Sequence, residues 1–479
     1  MSRNLERTEV RTLSGTVTRP GSDVIEVRNP ATGEHLHDVA STSSADVAAL
    51  ISGAHDARDV PAVERAEWLF RIADEMEARG EELARLLATE NGKPIGQTRG
   101  EIAAAVRIFR GFGEEAKRLF GRQIPLDAVP DLAHHLAVTL REPLGVVAAI
   151  VPFNYPVELY AHKAAAALAG GNAVVVKPPE KCPLTVLAIA EIVTAAGVPE
   201  ATHRVVTGGP EVVRAIAEHD GVQMISVTGS VTVGRAVAAL AAHSLAKLHL
   251  ELSSNDAMIV CADADVAAAA EAIVLGRLAR GNGQICCAVK RVYAEEPVYA
   301  ELAERLTARA RALVVGDPLD EVTEVGPLIS EPAAAAVEAS VSAAVDDGAT
   351  LIGGGRDRAF VTPAVLLDVP PEAPAIAEEI FGPVAPLARV ASAEEGLAYA
   401  NASPYGLQTS VFTRDIHRAF ALARRAEAGG VVINGSTALR AENLPFGGVK
   451  LTGGAREGLH DTLRDMTQEK TIIVMDAWR

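Results

Sequence analysis

Between residues 145 and 252, apolar segments alternate with helical patterns, and this alternation restricts the fold more than any other feature of the chain. Residues 145–151 form a continuous apolar run, which is typical of a strand buried on both faces of a sheet. The predicted strands are 145–151, 173–177, 204–207, 222–227 and 247–252. Helical patterns such as 157–169 and 183–196 separate them. Short turns between alternating strands and helices predict a doubly wound parallel sheet.

The rest of the chain predicts a second α/β unit and a small strand pair. After residue 252, a helix over 266–279 and a strand over 289–294 flank a glycine-rich loop, and further alternation continues to about residue 433. Residues 44–120 carry mostly helical patterns. The last apolar run, 471–475, has no neighbouring partner in sequence. It either pairs with the strand-like segment 132–141 or pairs with another subunit.

Composition excludes several classes of function. The chain has 479 residues and a formal net charge of −17. Such a charge repels phosphate backbones and anionic membranes, so neither nucleic acid nor a membrane is an expected partner. Four cysteines in so long a chain are not a disulfide framework, and no apolar signal segment begins the sequence. We therefore expect a cytoplasmic protein. The histidines show no metal-ligand spacing beyond the pairs His35/His37 and His134/His135, which are more typical of surface or strand residues, so no metal is expected.

The glycine motifs by themselves do not decide whether the chain binds a nucleotide. There is no G-x-G-x-x-G, and the nearest variant, around Gly111 and Gly113, lies inside a helical pattern. The motif from Gly229 to Gly234 has P-loop glycine spacing but lacks the Lys and Ser/Thr of such a loop. It is either a plain tight turn or a helix start whose N–H groups bind a pyrophosphate.

Polar or glycine residues follow the predicted strands one after another. They are Asn154, Lys177, Gly208, Gly229 with Ser230, and Glu251. The carboxyl ends of parallel strands meet at one edge of a sheet, where ligands bind. A Lys and a Glu that end apolar strands are costly to bury unpaired. Either each reaches solvent, or both face a ligand crevice.

Cys286 lies in the glycine-rich loop Gly281-Asn-Gly-Gln-Ile-Cys286-Cys287. A lone cysteine is often a small buried apolar residue. A cysteine in a polar loop between elements is a better candidate for a nucleophile, because a thiolate needs exposure and nearby dipoles. The adjacent Cys287 serves either packing or oxidative inactivation of its neighbour.

Taken together, these motifs resemble those of the NAD(P)-dependent aldehyde dehydrogenases over nearly the full length of the chain. The matching motifs are Pro152-Phe-Asn154-Tyr-Pro156, Lys177-Pro-Pro-Glu180, Thr228-Gly-Ser230-x-x-x-Gly234, Glu251-Leu-Ser-Ser-Asn255, Gly283-Gln-Ile-Cys286, Glu378-Glu-Ile-Phe-Gly-Pro383 and Pro445-Phe-Gly-Gly-Val-Lys450. The chain looks most similar to the group that oxidises lactaldehyde, succinate semialdehyde or, without phosphorylation, glyceraldehyde 3-phosphate.

The resemblance implies an α/β fold of the aldehyde dehydrogenase type, with two doubly wound parallel domains and a small β arm for oligomerisation. Residues 1–120 and 144–252 would form the NAD-binding domain, and residues 253–450 the catalytic domain. Residues 121–143 and 464–479 would form the arm. A homodimer or homotetramer is expected.

The resemblance also implies the catalytic roles. Cys286 would attack the aldehyde carbon, and the oxyanion of the thiohemiacetal would accept hydrogen bonds from the Asn154 side chain and the Cys286 amide. Hydride transfer to the nicotinamide would leave a thioester, which water activated by Glu251 would hydrolyse. Lys177 is expected both in this catalytic group and at the cofactor.

For the cofactor, the resemblance implies that Lys177 and Glu180 contact the adenosine ribose and that Gly208, Gly229 and Ser230 lie along the nucleotide. Glu379 would bind the nicotinamide ribose, and Phe381 would pack near the ring. A carboxylate at Glu180 accepts hydrogen bonds from both ribose hydroxyls and repels a 2′-phosphate. NAD is therefore the expected cofactor, with NADP as the other possibility.

The predicted substrate residues are Tyr155, His162, Ile285, Arg440 and Phe446. His162 together with Arg440 indicates a small polar or anionic aldehyde, unless Arg440 pairs with Glu442 or Glu457 and never meets substrate. Ile285 stands where a phosphate-binding member would carry Arg, which disfavours a phosphorylated substrate.

Two other functions compete with hydrolytic oxidation. A CoA-acylating dehydrogenase usually lacks the general base, and Glu251 argues against it. A catalytically silent binding protein on the same scaffold is disfavoured by Asn154, Cys286 and Glu251 all being present. One departure from the family pattern is Ser253-Ser254 in place of two glycines, which we expect to crowd the floor near the nicotinamide beside Glu251.

Overall fold

The structure is a computed structural model that describes residues 23–478; residues 1–22 of the predicted first domain and residue 479 of the predicted arm lie outside the described residues. The helices are α1 (Ser44–Ser52), α2 (Ala62–Ala78), α3 (Gly80–Asn91), α4 (Ile95–Ala116), α5 (Pro156–Ala169), α6 (Leu184–Ala195), α7 (Pro210–Ala217), α8 (Val231–Ala241), α9 (Val266–Ile273), α10 (Glu296–Ala312), α11 (Glu331–Asp346), α12 (Pro374–Ala377), α13 (Ala393–Asn401), α14 (Ile416–Ala423) and α15 (Leu459–Asp465). Within this part of the chain, no helix combines the length and the apolar character needed to cross a bilayer.

The strands belong to two large sheets and several small ones. They are β1 (Val24–Arg28), β2 (His35–Ala40), β3 (Gln123–Ile124), β4 (Leu136–Pro143), β5 (Val146–Ile150), β6 (Ala173–Lys177), β7 (His203–Val205), β8 (Met224–Thr228), β9 (Lys247–Glu251), β10 (Ala257–Val260), β11 (Arg291–Glu295), β12 (Thr350–Gly353), β13 (Arg356–Asp357), β14 (Phe360–Val361), β15 (Ala364–Leu367), β16 (Val384–Val390), β17 (Tyr405–Gly406), β18 (Gln408–Phe412), β19 (Gly430–Ile433), β20 (Val449–Lys450) and β21 (Thr467–Val474).

The first large sheet is parallel and has the order β7-β6-β5-β8-β9. The strands predicted between residues 145 and 252 are thereby confirmed. Ile150 pairs with Lys177 and Thr228 pairs with Glu251, so the carboxyl ends of these strands are aligned. Chain order reverses between β5 and β8, and such a switch point opens a crevice for ligands.

Helices cover this sheet closely. All fourteen residues of α5 are buried, and alanine fills most of its second half, so neighbouring backbones approach without large side chains between them. The long helix α4 packs against α5 and α2. Gly111 and Gly113 lie inside α4, as the helical pattern predicted, and are therefore not part of a strand-to-helix turn.

The second large sheet has the order β12-β15-β16-β11-β10-β18-β19. The predicted parallel arrangement is confirmed except at one edge, where β12 pairs antiparallel with β15. The connection between these strands is short and contains only the β13–β14 hairpin. A parallel neighbour needs a crossover of a dozen or more residues, so this short link dictates an antiparallel one.

The helix predicted over 266–279 changes character halfway. It is α-helical only to Ile273, continues as a π-helical turn over Val274–Ala279, and ends in a 3₁₀ turn over Arg280–Gly283. The fully buried Arg277 lies in the widened turn and donates to the carbonyls of Val384, Ile380 and Gly283. Such π turns are frequent at functional sites.

A small antiparallel sheet has the order β21-β4-β3. Of the two pairings predicted for residues 471–475, the structure shows the one with the 132–141 segment, since Thr471 pairs with Thr139 and Val474 with Leu136. β21 is an edge strand of this sheet and begins earlier than predicted, at Thr467.

Candidate active site

A cavity of about 780 Å³ lies along the carboxyl ends of the first sheet. The predicted residues that line it are Asn154, Lys177, Glu180, Gly229, Ser230, Glu251, Cys286, Glu379 and Phe381. Some follow strands of the first sheet, and others come from the second half of the chain. Folding therefore brings both sets of predicted residues to a single crevice.

At one end of the crevice, an ion pair joins two of the residues predicted at the cofactor. The Nζ of Lys177 donates to the Oε1 of Glu180 at 2.9 Å. The lysine is buried, whereas the carboxylate is 40% exposed. The pairing lowers the cost of burying the ammonium, and the second carboxylate oxygen can accept further hydrogen bonds.

The turn between β8 and α8 also faces the cavity. Ser230 is the N-cap of α8, and its Oγ accepts from the amide of Val233 at 3.2 Å. A Cβ added at Gly229 would meet only Val227, at 3.9 Å, so the space above this glycine is open. The turn is tight, and it leaves the positive end of the helix macrodipole facing the crevice.

Glu251 ends β9 and is 1% exposed, and its Oε1 has no hydrogen-bond partner among residues 23–478. Burial raises the pKa of this carboxyl well above its usual range, and the nearby Cys286 and Glu457 add to the effect. Arg440 and Lys163 act in the opposite direction. A carboxyl with a raised pKa is suited to general base chemistry near neutral pH.

Cys286 follows a loop with left-handed backbone. Gly281, Asn282 and Gly283 have φ values of 57°, 54° and 74°. A Cβ added at Gly283 would lie 2.3 Å from the carbonyl carbon of Gly382, so only glycine fits there. The glycines that the sequence displays around this cysteine are thus required by the path of the loop.

The surroundings of the Cys286 thiol shift its pKa in opposite directions. Contact with the Cys287 thiol, and then burial, raise the pKa of Cys286 well above its usual range, whereas Lys290 and Arg440 lower it. Cys287 is buried in an apolar cluster with Ile285 and its neighbours. The protonated thiol is therefore favoured until a base removes its proton.

The serines that replace the family's glycines lie in different surroundings. Ser253 lines the cavity, whereas Ser254 is fully buried and donates through Oγ to the carbonyl of Cys286. Lys290 donates to the carbonyl of Ser254 at 2.8 Å and to Glu379 at 2.6 Å. The expectation that both serines crowd the floor is therefore wrong for Ser254, which instead supports the nucleophile loop.

A second cavity, of about 610 Å³, opens beside α4 and α5. A small space connects the two cavities, because it shares Asn154 and Cys286 with the first and Tyr155, Arg280 and Arg440 with the second. Ile285 also lines this space. Cys286 and Asn154 thus line the first cavity at the point where it adjoins this connecting space.

The structure pairs Arg440 with carboxylates. Its Nη2 donates to Glu457 at 2.8 Å, its Nε lies 3.4 Å from Glu158, and its guanidinium lies 4.5 Å from the centre of the Phe446 ring. Of the two predicted pairings, the one with Glu457 is present, while Glu442 pairs with Arg107. Arg440 still lines the space beside Cys286.

Some predicted residues lie away from the cavity walls. His162 is buried, its ring nitrogens have no partner among residues 23–478, and burial lowers its pKa to about 3. It lies edge-on to Phe112 and lines neither cavity. Phe446 lies beneath Arg440, and Gly208 lies beside the crevice wall formed by Pro210 without lining it.

Sequence reasoning missed Arg280. Its Nε donates to the Tyr155 hydroxyl at 3.2 Å and its Nη1 to the carbonyl of Ala438 at 2.6 Å. In the described part of the chain it forms no ion pair, although it lines both the second cavity and the connecting space. Its position six residues before Cys286 is the signal that was available.

Two histidines also contact a carboxylate beside the small sheet, just before β4 and just after β21. The Nε2 of His134 lies 3.0 Å from Asp476, and the Nδ1 of His135 accepts from the Asp476 amide at 2.9 Å. The sequence shows the adjacent histidines, which we expected to be surface or strand residues, but not the approach of Asp476. That hydrogen bond occupies the nitrogen that His135 would offer to a metal, so we assign no metal here.

Comparison with known proteins identifies the family. The family model described as "Aldehyde dehydrogenase family" matches residues 17–472. A 3-sulfolactaldehyde dehydrogenase of Priestia megaterium is 37% identical over 457 residues, which are 95% of each chain. The chain belongs to the aldehyde dehydrogenase family and is an oxidoreductase that acts on aldehydes.

Solved structures agree with this assignment. A succinate-semialdehyde dehydrogenase from Burkholderia pseudomallei superposes with a TM-score of 0.92 at 39% identity over 96% of each chain. A glyceraldehyde-3-phosphate dehydrogenase from Methanocaldococcus jannaschii, complexed with NADP, superposes with a TM-score of 0.90 at 36% identity, covering 95% of this chain and 100% of that one. The predicted aldehyde dehydrogenase fold is thereby confirmed.

Proposed function

We propose that the protein oxidises a small anionic aldehyde to its carboxylic acid, with Cys286 as nucleophile and NAD as the preferred cofactor. The observation that carries this proposal is the position of Cys286 and Asn154 at the junction of two cavities. One cavity has the size and polar groups for a dinucleotide, and the other gives an aldehyde its own entrance to the sulfur.

In the first half-reaction, the Cys286 thiol gives up its proton to solvent water, the resulting thiolate forms a bond to the aldehyde carbon, and the carbonyl electron pair moves to oxygen. The side-chain amide of Asn154 and the backbone N–H of Cys286 donate hydrogen bonds to this oxyanion. Removing one such donor typically costs about 2.7–4 kcal/mol of transition-state stabilisation. Lys290 and Ser254 hold the Cys286 carbonyl, which keeps the adjacent peptide in place.

The crevice fits a nicotinamide dinucleotide. Apolar side chains of Ile150, Val233 and Leu240 form a slot beside the Lys177–Glu180 pair, which suits an adenosine. Ser230 at the start of α8 suits the pyrophosphate. Glu379 suits the second ribose, and Phe381 lies beside it, with its ring edge-on to Phe153 at 6.0 Å. A nicotinamide dinucleotide held by these residues would supply the hydride acceptor, and loss of hydride from the thiohemiacetal would leave an acyl thioester on Cys286.

In the second half-reaction, Glu251 removes a proton from water, which attacks the thioester carbon and releases the Cys286 thiolate. Burial raises the pKa of this carboxyl, so Glu251 acts as a base only after it has lost its own proton. Glu251 supports hydrolysis rather than transfer of the acyl group to CoA.

An anionic substrate is supported by Arg280. This guanidinium lines the approach to Cys286 with no carboxylate partner among residues 23–478, so it is available to pair with a substrate anion. The relatives named above act on aldehydes that carry a sulfonate, a carboxylate or a phosphate group. Ile285 in the connecting space favours a compact substrate.

The finer cofactor and assembly proposals rest on particular residues. Glu180 repels a 2′-phosphate, which supports NAD over NADP.

The sheet formed by β3, β4 and β21 supports a homodimer or homotetramer, since its edge strand exposes apolar residues. The four cysteines are all free, which fits the reducing cytoplasm.

The test compares Cys286→Ala with the matched variant Cys287→Ala. We expect Cys286→Ala to abolish NADH formation with succinate semialdehyde, because Cys286 lines both the first cavity and the connecting space, whereas Cys287 lines only the connecting space. Cys287→Ala removes a buried thiol that contacts Cys286 but leaves the proposed nucleophile in place, so this variant should remain active. NADH absorbance measures the activity of both variants. Full activity in Cys286→Ala would contradict the proposed mechanism.

A further inference from the structure

The connection between α3 and α4 touches both loops of the proposed oxyanion site. Together with the last residue of α3 and the first three residues of α4, this connection makes up residues 91–97, which we call the 91–97 segment. One loop carries Asn154 and precedes α5, and the other carries Cys286 and follows α9. The mechanism above assigns no role to the 91–97 segment.

Two side chains of the segment bind the backbone around Asn154. The Nδ2 of Asn91 donates to the carbonyl of Phe153 at 2.7 Å, and the Nζ of Lys93 donates to the carbonyl of Asn154 at 2.8 Å. Both side chains are buried, with residue exposures of 3% and 1%. The peptide groups before and after the Asn154 Cα are therefore both held by this segment.

Glu101 of α4 extends this contact to the start of α5. Its carboxylate pairs with Lys93, and its Oε1 accepts from the amides of Val157 at 2.9 Å and Glu158 at 3.3 Å. These are first-turn amides of α5, which otherwise lack partners within the helix. Asn154 is thus held by contacts on both sides.

The same segment binds the nucleophile loop. The Oε1 of Gln97 accepts from the amide of Gly281 at 2.7 Å, and its Nε2 donates to the carbonyl of Ala279 at 3.2 Å. The Nδ2 of Asn282 donates to the carbonyl of Gly92 at 3.0 Å. All of these contacts lie within seven residues of Cys286 along the chain.

Gly92 shows how closely the segment meets the second half of the molecule. Its φ is +89°, and an added Cβ would lie 2.9 Å from the Cγ of Pro327 and 3.0 Å from its carbonyl oxygen. Neither the backbone conformation nor the space admits a side chain. The segment therefore has little freedom to shift relative to the nucleophile loop.

We propose that the 91–97 segment is a positioning element that sets the separation between the two oxyanion donors, with Gln97 as the residue that couples the nucleophile loop to it. This inference rests on the proposed function of Asn154 and Cys286. The donors lie on loops from different halves of the chain, and the segment hydrogen-bonds to both. A misplacement of about 1 Å can lower a rate about a hundredfold.

Gln97→Leu is the informative variant, because Gln97 is only half-buried and its loss should not prevent folding. We expect the pre-steady-state burst of NADH at saturating succinate semialdehyde to slow by about tenfold to a hundredfold. Alkylation of Cys286 by iodoacetamide needs no oxyanion donor, so its rate should stay within about twofold. Gln97→Glu keeps an acceptor for Gly281 and should recover part of the burst rate.

Gln223→Leu is the matched control. Gln223 also accepts from a backbone amide, that of Val146 at 2.7 Å, but it lies at the amino end of the sheet. The NADH burst of the Gln223→Leu variant should be as fast as that of the wild type. Equal slowing in both variants would mean a general structural effect and would overturn the assignment.

A double-mutant cycle with Asn154→Ala completes the test. If Gln97 acts by aligning the two donors, Gln97→Leu should slow the Asn154→Ala enzyme by less than about twofold further. An unchanged burst in the single variant, or the same slowing in both backgrounds, would overturn the inference. Failure of the proposed function is distinguishable, because it would appear as full activity in Cys286→Ala.

Discussion

At the scale of single residues, Cys286 and Glu251 share surroundings that raise both of their pKa values. Each opposes ionisation of the other, since two negative charges in a buried site repel. A mechanism that uses the thiolate first and the carboxylate second avoids having both charges present at once. This order matches attack followed by hydrolysis.

Glu251→Gln should separate the two half-reactions. Attack and hydride transfer do not need the carboxylate, so the first-turnover burst of NADH should persist. Steady-state turnover should fall by about 10²- to 10⁴-fold, which is the usual contribution of a general base. Stopped-flow absorbance would measure both, and loss of the burst together with turnover would contradict the assignment.

The same variant predicts a change in pH dependence. A raised pKa means that Glu251 becomes a carboxylate only as the pH rises through a value above its usual 4.5. Deacylation should therefore increase with pH through that value in the wild type. In Glu251→Gln this limb should disappear from the pH profile of kcat, and its persistence would assign the limb to another group.

Arg280→Met should weaken binding of anionic aldehydes selectively. Hydrogen bonds to charged groups contribute about 1.5–3 kcal/mol, so KM for succinate semialdehyde should rise about 10- to 100-fold. KM for butanal, a neutral aldehyde of the same carbon number, should change little. Equal increases for both aldehydes would show that Arg280 supports the cavity rather than the anion.

At the scale of elements, the terminal strand β21 presents an exposed apolar surface. Ile472, Ile473 and Val474 are 40%, 57% and 45% exposed, and Trp478 beyond the strand is 64% exposed. An edge strand with exposed apolar side chains is a favourable surface for association. The burial patterns of β4 and β21 differ accordingly, since β21 is exposed along nearly its whole length.

Ile473→Asp should disrupt the assembly that we propose. A charge at this position would be desolvated in an interface, so the oligomer should dissociate to a smaller species in light scattering. Val24→Asp is the control, because Val24 is similarly exposed, at 55%, but belongs to β1 outside this sheet. An unchanged mass for Ile473→Asp would exclude β21 from the interface.

At the scale of the whole molecule, residues from both large sheets line the crevice. Lys177 and Glu251 end strands of the first sheet, whereas Glu379 and Phe381 precede β16 of the second. A dinucleotide that contacts both halves binds only the folded arrangement. Cofactor binding should therefore stabilise the molecule as a unit.

NAD should raise the unfolding temperature more than NADP at equal concentration. A ligand at about one hundred times its Kd stabilises by about 2.7 kcal/mol, and Glu180 should weaken binding of the 2′-phosphate. Glu180→Gln removes the carboxylate charge, so the increases in unfolding temperature with NAD and with NADP should become more similar. Differential scanning fluorimetry measures this, and a larger shift with NADP in the wild type would contradict the preference.

Local pattern was sufficient for much of the fold. Apolar runs of strand length between helical patterns specified the first sheet, because parallel strands buried on both faces need continuous apolar residues. The residues at the strand ends could be predicted to converge because parallel strands end at one edge. The motif resemblance then predicted their roles around Asn154, Glu251 and Cys286.

The predictions failed where long-range contacts override local pattern. The helix over 266–279 widens where the buried Arg277 reaches distant carbonyls. Spacing in sequence did not reveal that Ser254 binds the Cys286 carbonyl. Such contacts join residues far apart along the chain, so no local signal carries them.

The sequence by itself determined the class of fold, the family and the set of side chains available for chemistry, because these depend on periodicity and on motifs short enough to be local. The tertiary structure decided which charges neutralise one another. It pairs Arg440 with Glu457 and leaves Arg280 facing the approach to Cys286. That choice depends on distances of a few ångströms between separate elements, and Coulomb attraction and desolvation act through those distances.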